Sequence, residues 1–351
     1  MRLPAEWERQ SGVQLTWPHC DTEWYQLDKV LECYVDIAIC ITRFEPLLIV
    51  CRDIEEAKND IDRICSGKGL CLDFSRVVFC EAPLNDTWAR DHGGISVYGD
   101  NGEKYLYDFV FNGWGLKFAS NLDNQITKRI FGQGVFEDDV MGVDMRPFVL
   151  EGGSIDSDGE GTLLTTTECL TSVNRNEYLT KEEIEGELKS AFGLDRVLWL
   201  DHGDIIGDDT DGHVDTLARF CAPDTIAYVQ CADPDDPHYE PLRKMEDQLR
   251  SFSRKDGSRY RLVPLPLPDA LYLDDYRLPA SYANFLIVNG GVIVPGSGSA
   301  KDETARRRLQ EVFPDREVVV IDCRALLSGH GSLHCVTMQF PEGWLRKPDA
   351  D

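Results

Sequence analysis

The chain repeats itself, and the repeat limits its folding more than any other feature. Arg76, Arg196 and Arg316 are 120 residues apart twice over. Each sits at the junction between a helical pattern and a strand-like run: Asp73-Phe74-Ser75-Arg76-Val77-Val78, Asp195-Arg196-Val197-Leu198 and Asp315-Arg316-Glu317-Val318-Val319. Weaker echoes fall between them at Arg146-Pro147-Phe148-Val149-Leu150 and Arg259-Tyr260-Arg261-Leu262-Val263. The implied unit is about 60 residues, and five units fill about 300 residues of the chain.

Helices and strands alternate through these units. Leu27, Leu31, Tyr34, Val35, Ala38 and Ile41 form one helical stripe, and Ile54, Ala57, Ile61 and Ile64 another. Thr180 and Glu183 make a capping-box signature before Ile184, Leu188 and Phe192, and Gly193 stops that helix. Lys301 to Phe313 reads as a helix ended by Pro314. Strands are expected at 47–51, 77–80, 105–111, 163–167, 197–200, 226–230, 285–288, 292–295 and 318–321. The class is α/β, and no low-complexity linker divides the chain, so 1–351 reads as one domain.

Charge narrows the partners. Lysine and arginine number 36 against 62 aspartates and glutamates, a formal net charge of −26. That argues against nucleic-acid binding, which depends on cationic contacts, and against docking on an anionic membrane, and favours small cations. Twelve cysteines without a CxxC pair, several inside apolar runs, fit neither a disulfide scaffold nor a cysteine-rich zinc site. The N-terminal residues lack a signal-peptide core and no run has the length of a membrane span. The expectation is a reduced, cytoplasmic protein, with a homo-oligomer left open.

Some motifs fail. The Asp156-Ser157-Asp158-Gly159 stretch has Thr167 where a calcium loop needs its bidentate glutamate. Neither a Walker A sequence nor a dinucleotide-binding glycine fingerprint occurs. What remains are polar segments that follow the repeat strands: Asn85 to Gly93, Leu150 to Ser154, Gly207 to Asp215, and Gly329 to Thr337. If the units surround an axis, these segments meet at one centre.

Such a centre would hold Cys335, His213, Asp91, Glu151 and Asp215. A cysteine nucleophile acts as its thiolate and needs a basic or cationic neighbour, here His213. Extra carboxylates would repel the oxyanion of an acyl transfer, but they suit the planar fork of a guanidinium. The set points to attack on a guanidinium carbon. Asp208, Asp209, Asp211, His213 and Asp215 also admit a metal-site reading.

With these segments in view, the sequence resembles the agmatine deiminases and bacterial-type peptidyl-arginine deiminases of the guanidine-modifying superfamily. The resemblance runs from Pro4-Ala5-Glu6-Trp7-Glu8 and Thr16-Trp17-Pro18-His19 to Cys335-Val336-Thr337-Met338-Gln339-Phe340-Pro341. Between them lie Asp86-Thr87-Trp88-Ala89-Arg90-Asp91, Phe111-Asn112-Gly113-Trp114-Gly115, Leu150-Glu151-Gly152-Gly153-Ser154, Asp209-Thr210-Asp211-Gly212-His213-Val214-Asp215 and Ser281-Tyr282-Ala283-Asn284-Phe285. It implies a five-bladed pseudo-symmetric α/β propeller, the pentein fold, with no cofactor and no metal. It also implies Cys335 as nucleophile, His213 as acid/base, Asp91 and Asp215 as guanidinium carboxylates, and Glu151 facing His213 and the reacting group. Trp88, Trp114 and Asp209 are expected to contact the substrate. His330 departs from the family's glycine run, and His92, His330 and His334 receive no role. Agmatine is the expected substrate, with free or peptidyl arginine as the same-chemistry alternative. A non-catalytic pentein binding module and a metallohydrolase are the alternatives from other classes.

Overall fold

The computed structural model describes residues 1–22 and 24–347, so the last residues of the 1–351 domain lie outside the description. Helix and strand alternate as expected in a mixed α/β fold, in five sheets of three or four strands and one short ribbon, Tyr272–Leu273 with Tyr276–Arg277.

Four sheets share one pattern. Each has a central strand: Lys104–Val110, Thr162–Thr166, Thr225–Gln230 or Gly291–Gly296. It pairs antiparallel with the strand before it and parallel with the strand after it. A helix makes each parallel crossover: Ile126–Gly132, Lys181–Phe192, Tyr239–Ser251 or Lys301–Val312. The remaining sheet joins the two ends of the chain. Thr337–Pro341 pairs antiparallel with Gln10–Thr16, which is followed by Leu27–Phe44 and the parallel strand Leu47–Cys51. An additional helix, Ile54–Lys68, and strand, Val77–Glu81, extend it to four strands.

This refines the repeat. Arg76 precedes the appended strand, and Arg146 lies late in Val140–Val149 rather than at its start. The outer strands open at 77, 140, 196, 261 and 317, still about sixty residues apart. The equal arginine spacing therefore marks the outer edge of each sheet, and not one conserved position within the unit.

Local chemistry explains the legible helices. Asp53 accepts a hydrogen bond from the Glu56 amide at 2.8 Å and Gly69 closes that helix in the left-handed region, φ 65°. Thr180 and Glu183 form the full capping box, and Gly193 is again left-handed. The helix Tyr239–Ser251 escaped the sequence reading because only Leu242, Met245 and Leu249 carry its buried face.

Four apolar clusters lie between neighbouring sheets. One packs Leu286, Ile293 and Ile321 of the last sheet against Ile49 of the first sheet and Val35 and Ile41 of its helix Leu27–Phe44. The connections between sheets, 82–94, 150–154, 201–217, 267–285 and 323–336, leave the carboxyl ends of the outer strands, a place where α/β sheets present ligand-binding residues. The four polar segments that follow the repeat strands lie on these connections, the last running on to Thr337 at the start of its strand.

Candidate active site

Cys335 is buried just before the strand Thr337–Pro341. Asn284 Nδ2 lies 3.3 Å from its sulfur, and Asp215 Oδ2 lies 3.8 Å away. Burial, Asp215 and Asp91 together push its thiol pKa well above the usual range.

The cysteine opens onto a cavity of about 230 Å³. Asp91, His213, Trp88, Trp114 and Asp209 line it with Trp24, Asp208 and His330. Glu151 and Asp215 are fully buried and are not among its lining residues. The seven side chains expected around Cys335 thus come together, five on the cavity surface and two set behind it.

Asp91 belongs to the short helix Ala89–His92. One carboxylate oxygen accepts from the Gly153 amide at 3.0 Å, the other from the Trp114 indole at 2.9 Å. Trp114 sits at φ 55°, ψ 51° within a glycine-flanked turn, a conformation that costs free energy in a bulky residue. Its indole N–H reaches Asp91 from this turn. Burial raises the Asp91 pKa to about 6, with Asp215 and Glu151 adding to the rise and His213 opposing it.

His213 leads into the turn Val214–Thr216, with Nδ1 3.6 Å from Asp91. Neither ring nitrogen has a hydrogen-bond partner among the described residues. Burial works against its charge, yet Asp91, followed by Cys169 and Glu151, raises its pKa well above the imidazole range. Gly153 makes this packing possible. A Cβ there would stand 2.6 Å from His213 Nδ1 and 2.8 Å from Asp91 Oδ1.

Glu151 is held by Arg175, whose Nε lies 2.9 and 3.1 Å from the two carboxylate oxygens. Arg175 also donates to the Thr210 carbonyl and to Asp211, tying the connections 150–154 and 201–217 together. Glu151, Cys169 and His213 present possible metal-ligand atoms within 4.8 Å of one another. The guanidinium already neutralises the only carboxylate of that set, which disfavours a divalent cation. The acidic cluster weighed as a metal site is dispersed, with Asp211 on Lys117 and Arg175 and Asp215 on His334.

Asp215 takes the opposite path from Asp91. His334 Nδ1 lies 2.7 Å from its Oδ2, and the ion pair overrides burial to lower its pKa. At the cavity mouth, burial raises Asp209 to about 6, with His330 opposing and Asp208 reinforcing. His330, at φ 66°, donates through Nδ1 to the Gly207 carbonyl.

Sequence reasoning left Arg175, Asn284, Cys169, His334 and Glu6 without functional assignments. Asn284 and Glu6 lay in quoted motifs, but only the fold shows what they touch.

The sequence pattern of the Porphyromonas-type peptidyl-arginine deiminase family matches residues 2–341. The agmatine deiminase of Pseudomonas syringae pv. tomato is 36% identical over 97% of this chain and 95% of its own. A Porphyromonas gingivalis protein provisionally named an arginine deiminase is 51% identical, with a TM-score of 0.90 over 98% of this chain and 99% of its own. A cysteine-to-serine variant of C. jejuni agmatine deiminase with substrate bound superposes with a TM-score of 0.88 at 37% identity, covering 98% and 97%. DDAH from Pseudomonas aeruginosa, at 12% identity and a TM-score of 0.51, shares the fold alone. Among the described residues no helix is long and apolar enough to cross a membrane.

Proposed function

The chain belongs to the Porphyromonas-type peptidyl-arginine deiminase family, and from that premise we propose that it hydrolyses agmatine to N-carbamoylputrescine and ammonia. One observation carries the substrate choice. The cavity is lined by Asp86, Asp91, Asp208 and Asp209 but by no lysine or arginine among the described residues. Such a lining favours a dication and offers no partner to the α-carboxylate of arginine.

Asp91 and Asp215 receive the guanidinium, with Trp88 and Trp114 as apolar walls and Asp209 toward the distal ammonium. Burial and the charges of Asp215 and Asp91 hold the Cys335 thiol protonated, and the bound cation offsets both charges. Substrate binding therefore favours loss of the thiol proton to solvent and leaves the thiolate at the moment it is needed. The sulfur attacks the guanidinium carbon to form a neutral tetrahedral adduct. His213, already charged, gives its proton to one amino group, and the C–N bond breaks to release ammonia. The cysteine is left carrying an amidinium. Water attacks that carbon while neutral His213 takes its proton, Glu151 and Arg175 fixing the surroundings of the ring. The C–S bond then breaks, the hydroxyl proton passing to the departing sulfur, and the substituted urea is released with the Cys335 thiol and the charged His213 restored. A thiolate nucleophile requires no metal to activate the first attack.

The same reading treats the chain as a single catalytic domain, a five-bladed pseudo-symmetric propeller. Five sheets and a core joining the last to the first support it, as does the fold shared with DDAH.

The test is ammonia release from agmatine, free arginine and an arginine peptide at one ionic strength, with and without chelator. Agmatine should give the highest kcat/KM, and chelator should have no effect. Equal or better turnover of the peptide would overturn the substrate while sparing the cysteine chemistry.

A further inference from the structure

Beside Cys335 lies a buried charge chain of which the steps above use Asp215 alone. His334 Nδ1 stands 2.7 Å from Asp215 Oδ2, and its Nε2 stands 2.8 Å from Glu6 Oε2. With both carboxylates ionised, each ring nitrogen meets an acceptor only, so both must donate. Glu6 is itself fastened. Its Oε2 accepts from Arg219 Nη2 at 2.6 Å and its Oε1 from the Ile287 amide at 2.7 Å. Arg219 continues to Asp156 at 3.2 Å and to the Phe285 carbonyl at 3.0 Å. The His334 amide is anchored by Asn284 Oδ1 at 2.9 Å, the residue whose other amide atom reaches the Cys335 sulfur.

The two oxygens of Asp215 therefore differ. Oδ2 is taken by His334, whereas Oδ1 is buried without a hydrogen-bond partner among the described residues. A buried, unpartnered carboxylate oxygen is costly unless a donor arrives to meet it. We propose that His334, oriented by Glu6, is a positioning residue that pins one oxygen of Asp215 so that the other is presented, ionised, to the guanidinium. This rests on the assignment of Asp215 as a guanidinium carboxylate.

A structural ion pair would need no free oxygen on Asp215, and it would not need to sit beside the nucleophile. The charged and titratable groups around Asp215 are known from every packed element. His334 and Cys335 face it from the connection 323–336, His213 from its own turn, Arg219 from the strand Ala218–Ala222, and Asp91 and Arg90 from the helix Ala89–His92. Of these, His334 makes the short hydrogen bond to the carboxylate, beside the 3.8 Å contact of the Cys335 thiol, and is the chief cause, against burial, of its lowered pKa.

The experiment compares the pH dependence of kcat/KM for agmatine in the wild type, His334→Ala and His334→Asn, with thermal unfolding run in parallel. Asparagine can place an amide donor near the Nδ1 position and so keep the bond to Asp215 without the charge. Losing His334 raises the Asp215 pKa, so more of it is protonated at low pH and less substrate binds. Asp91, with its pKa at about 6, sets the first acid limb. The limb belonging to Asp215 lies below it and should move up by about one pH unit in His334→Ala, making the deficit against wild type about tenfold larger on the acid side of that second limb than on the alkaline side. His334→Asn should fall between the two. A uniform loss at all pH values in a folded His334→Asn enzyme, with the second limb at its wild-type position, would overturn the positioning role. Wild-type failure on agmatine alongside turnover of another guanidinium would instead overturn the substrate, and the same profiles read on that substrate would still decide the role of His334.

Discussion

The two walls that flank Cys335 start from the same chemistry and end in opposite states. Asp91 and Asp215 are both aspartates, both buried, and both close to the sulfur and to His213. On one wall Asp91 is met by an indole, a backbone amide and a histidine 3.6 Å away, and its pKa rises to about 6. On the other wall Asp215 meets His334 at 2.7 Å, and its pKa falls. Burial raises both. Neutral donors do not reverse that rise, whereas a hydrogen-bonded, charged partner does. The site thus holds one carboxylate that remains ionised and one whose charge is sensitive to its surroundings, and a cation bound between them would satisfy both.

The largest expected effect removes what the walls face. Cys335→Ser should lower kcat by on the order of 10³-fold or more while leaving agmatine binding measurable by calorimetry, since both carboxylates stay in place. In the unmodified enzyme, rapid quenching should trap an amidine adduct on the Cys335 peptide. Loss of binding together with turnover would mean that the sulfur, rather than the two walls, organises the site. Gly153→Ala should come next. Its new methyl would press on His213 and Asp91 at once and approach Asp215 Oδ2 at 3.2 Å. Displacements of about 1 Å in such a site cost on the order of 10²-fold, so kcat/KM should fall by about that factor. Thermal unfolding should show a native fold.

The walls should also separate in stability. An acid whose folded pKa exceeds its unfolded one binds its proton better when native. Its contribution to stability therefore falls as pH rises from about 3.8 to about 6, which is worth about 3 kcal/mol for the two-unit shift of Asp91. Asp91→Asn has a fixed cost, because an amide cannot accept from both Trp114 and Gly153. Relative to wild type, however, the variant should gain about 2.5 kcal/mol between pH 4 and pH 7.5. For Asp215 the sign reverses. Its depressed pKa contributes stability that is present above the ordinary carboxyl range and lost only as pH falls below it, so Asp215→Asn should hold a nearly constant deficit over the same interval. Urea unfolding at the two pH values measures both. Parallel shifts in the two variants would show that the walls do not differ as described.

How much of this was legible in the sequence depended on how far each interaction reaches along the chain. Helices with a stripe and a cap, such as Ile54–Lys68 and Lys181–Phe192, announce themselves within a dozen residues. The buried parallel strands read as apolar runs, while short hairpin strands such as Ile155–Ser157 and Ile95–Tyr98 carry too few residues to signal. The cavity-facing segments were legible because each is polar in a glycine-rich setting. Their supports were not. Glu6 and His334 meet across 328 positions, and Arg175 reaches Glu151 from a segment with no pattern of its own. The left-handed Trp114 is a tertiary compromise: the φ that its residue type resists is what directs the indole to Asp91.

The smallest expected effect lies at the mouth, outside both walls. Asp209 shares the cavity with Asp208 and His330, and its pKa is raised to about 6 by burial and by Asp208. It is not among the charges that chiefly shift the Cys335 thiol, so its charge should act on binding and not on bond making. Asp209→Asn should raise the KM for agmatine several-fold and leave kcat unchanged, the pattern of an interaction equal in ground and transition states. The effect should shrink as salt is added, because a partly solvated charge is screened over about 10 Å at 0.1 M. It should shrink again below pH 6, where Asp209 takes up its proton in the wild type and the two enzymes converge. A drop in kcat would move Asp209 from the mouth into the chemistry of the walls and erase the distinction between them. An unchanged KM at low salt would instead leave recognition of the distal ammonium to the tryptophans, whose faces attract cations without titrating.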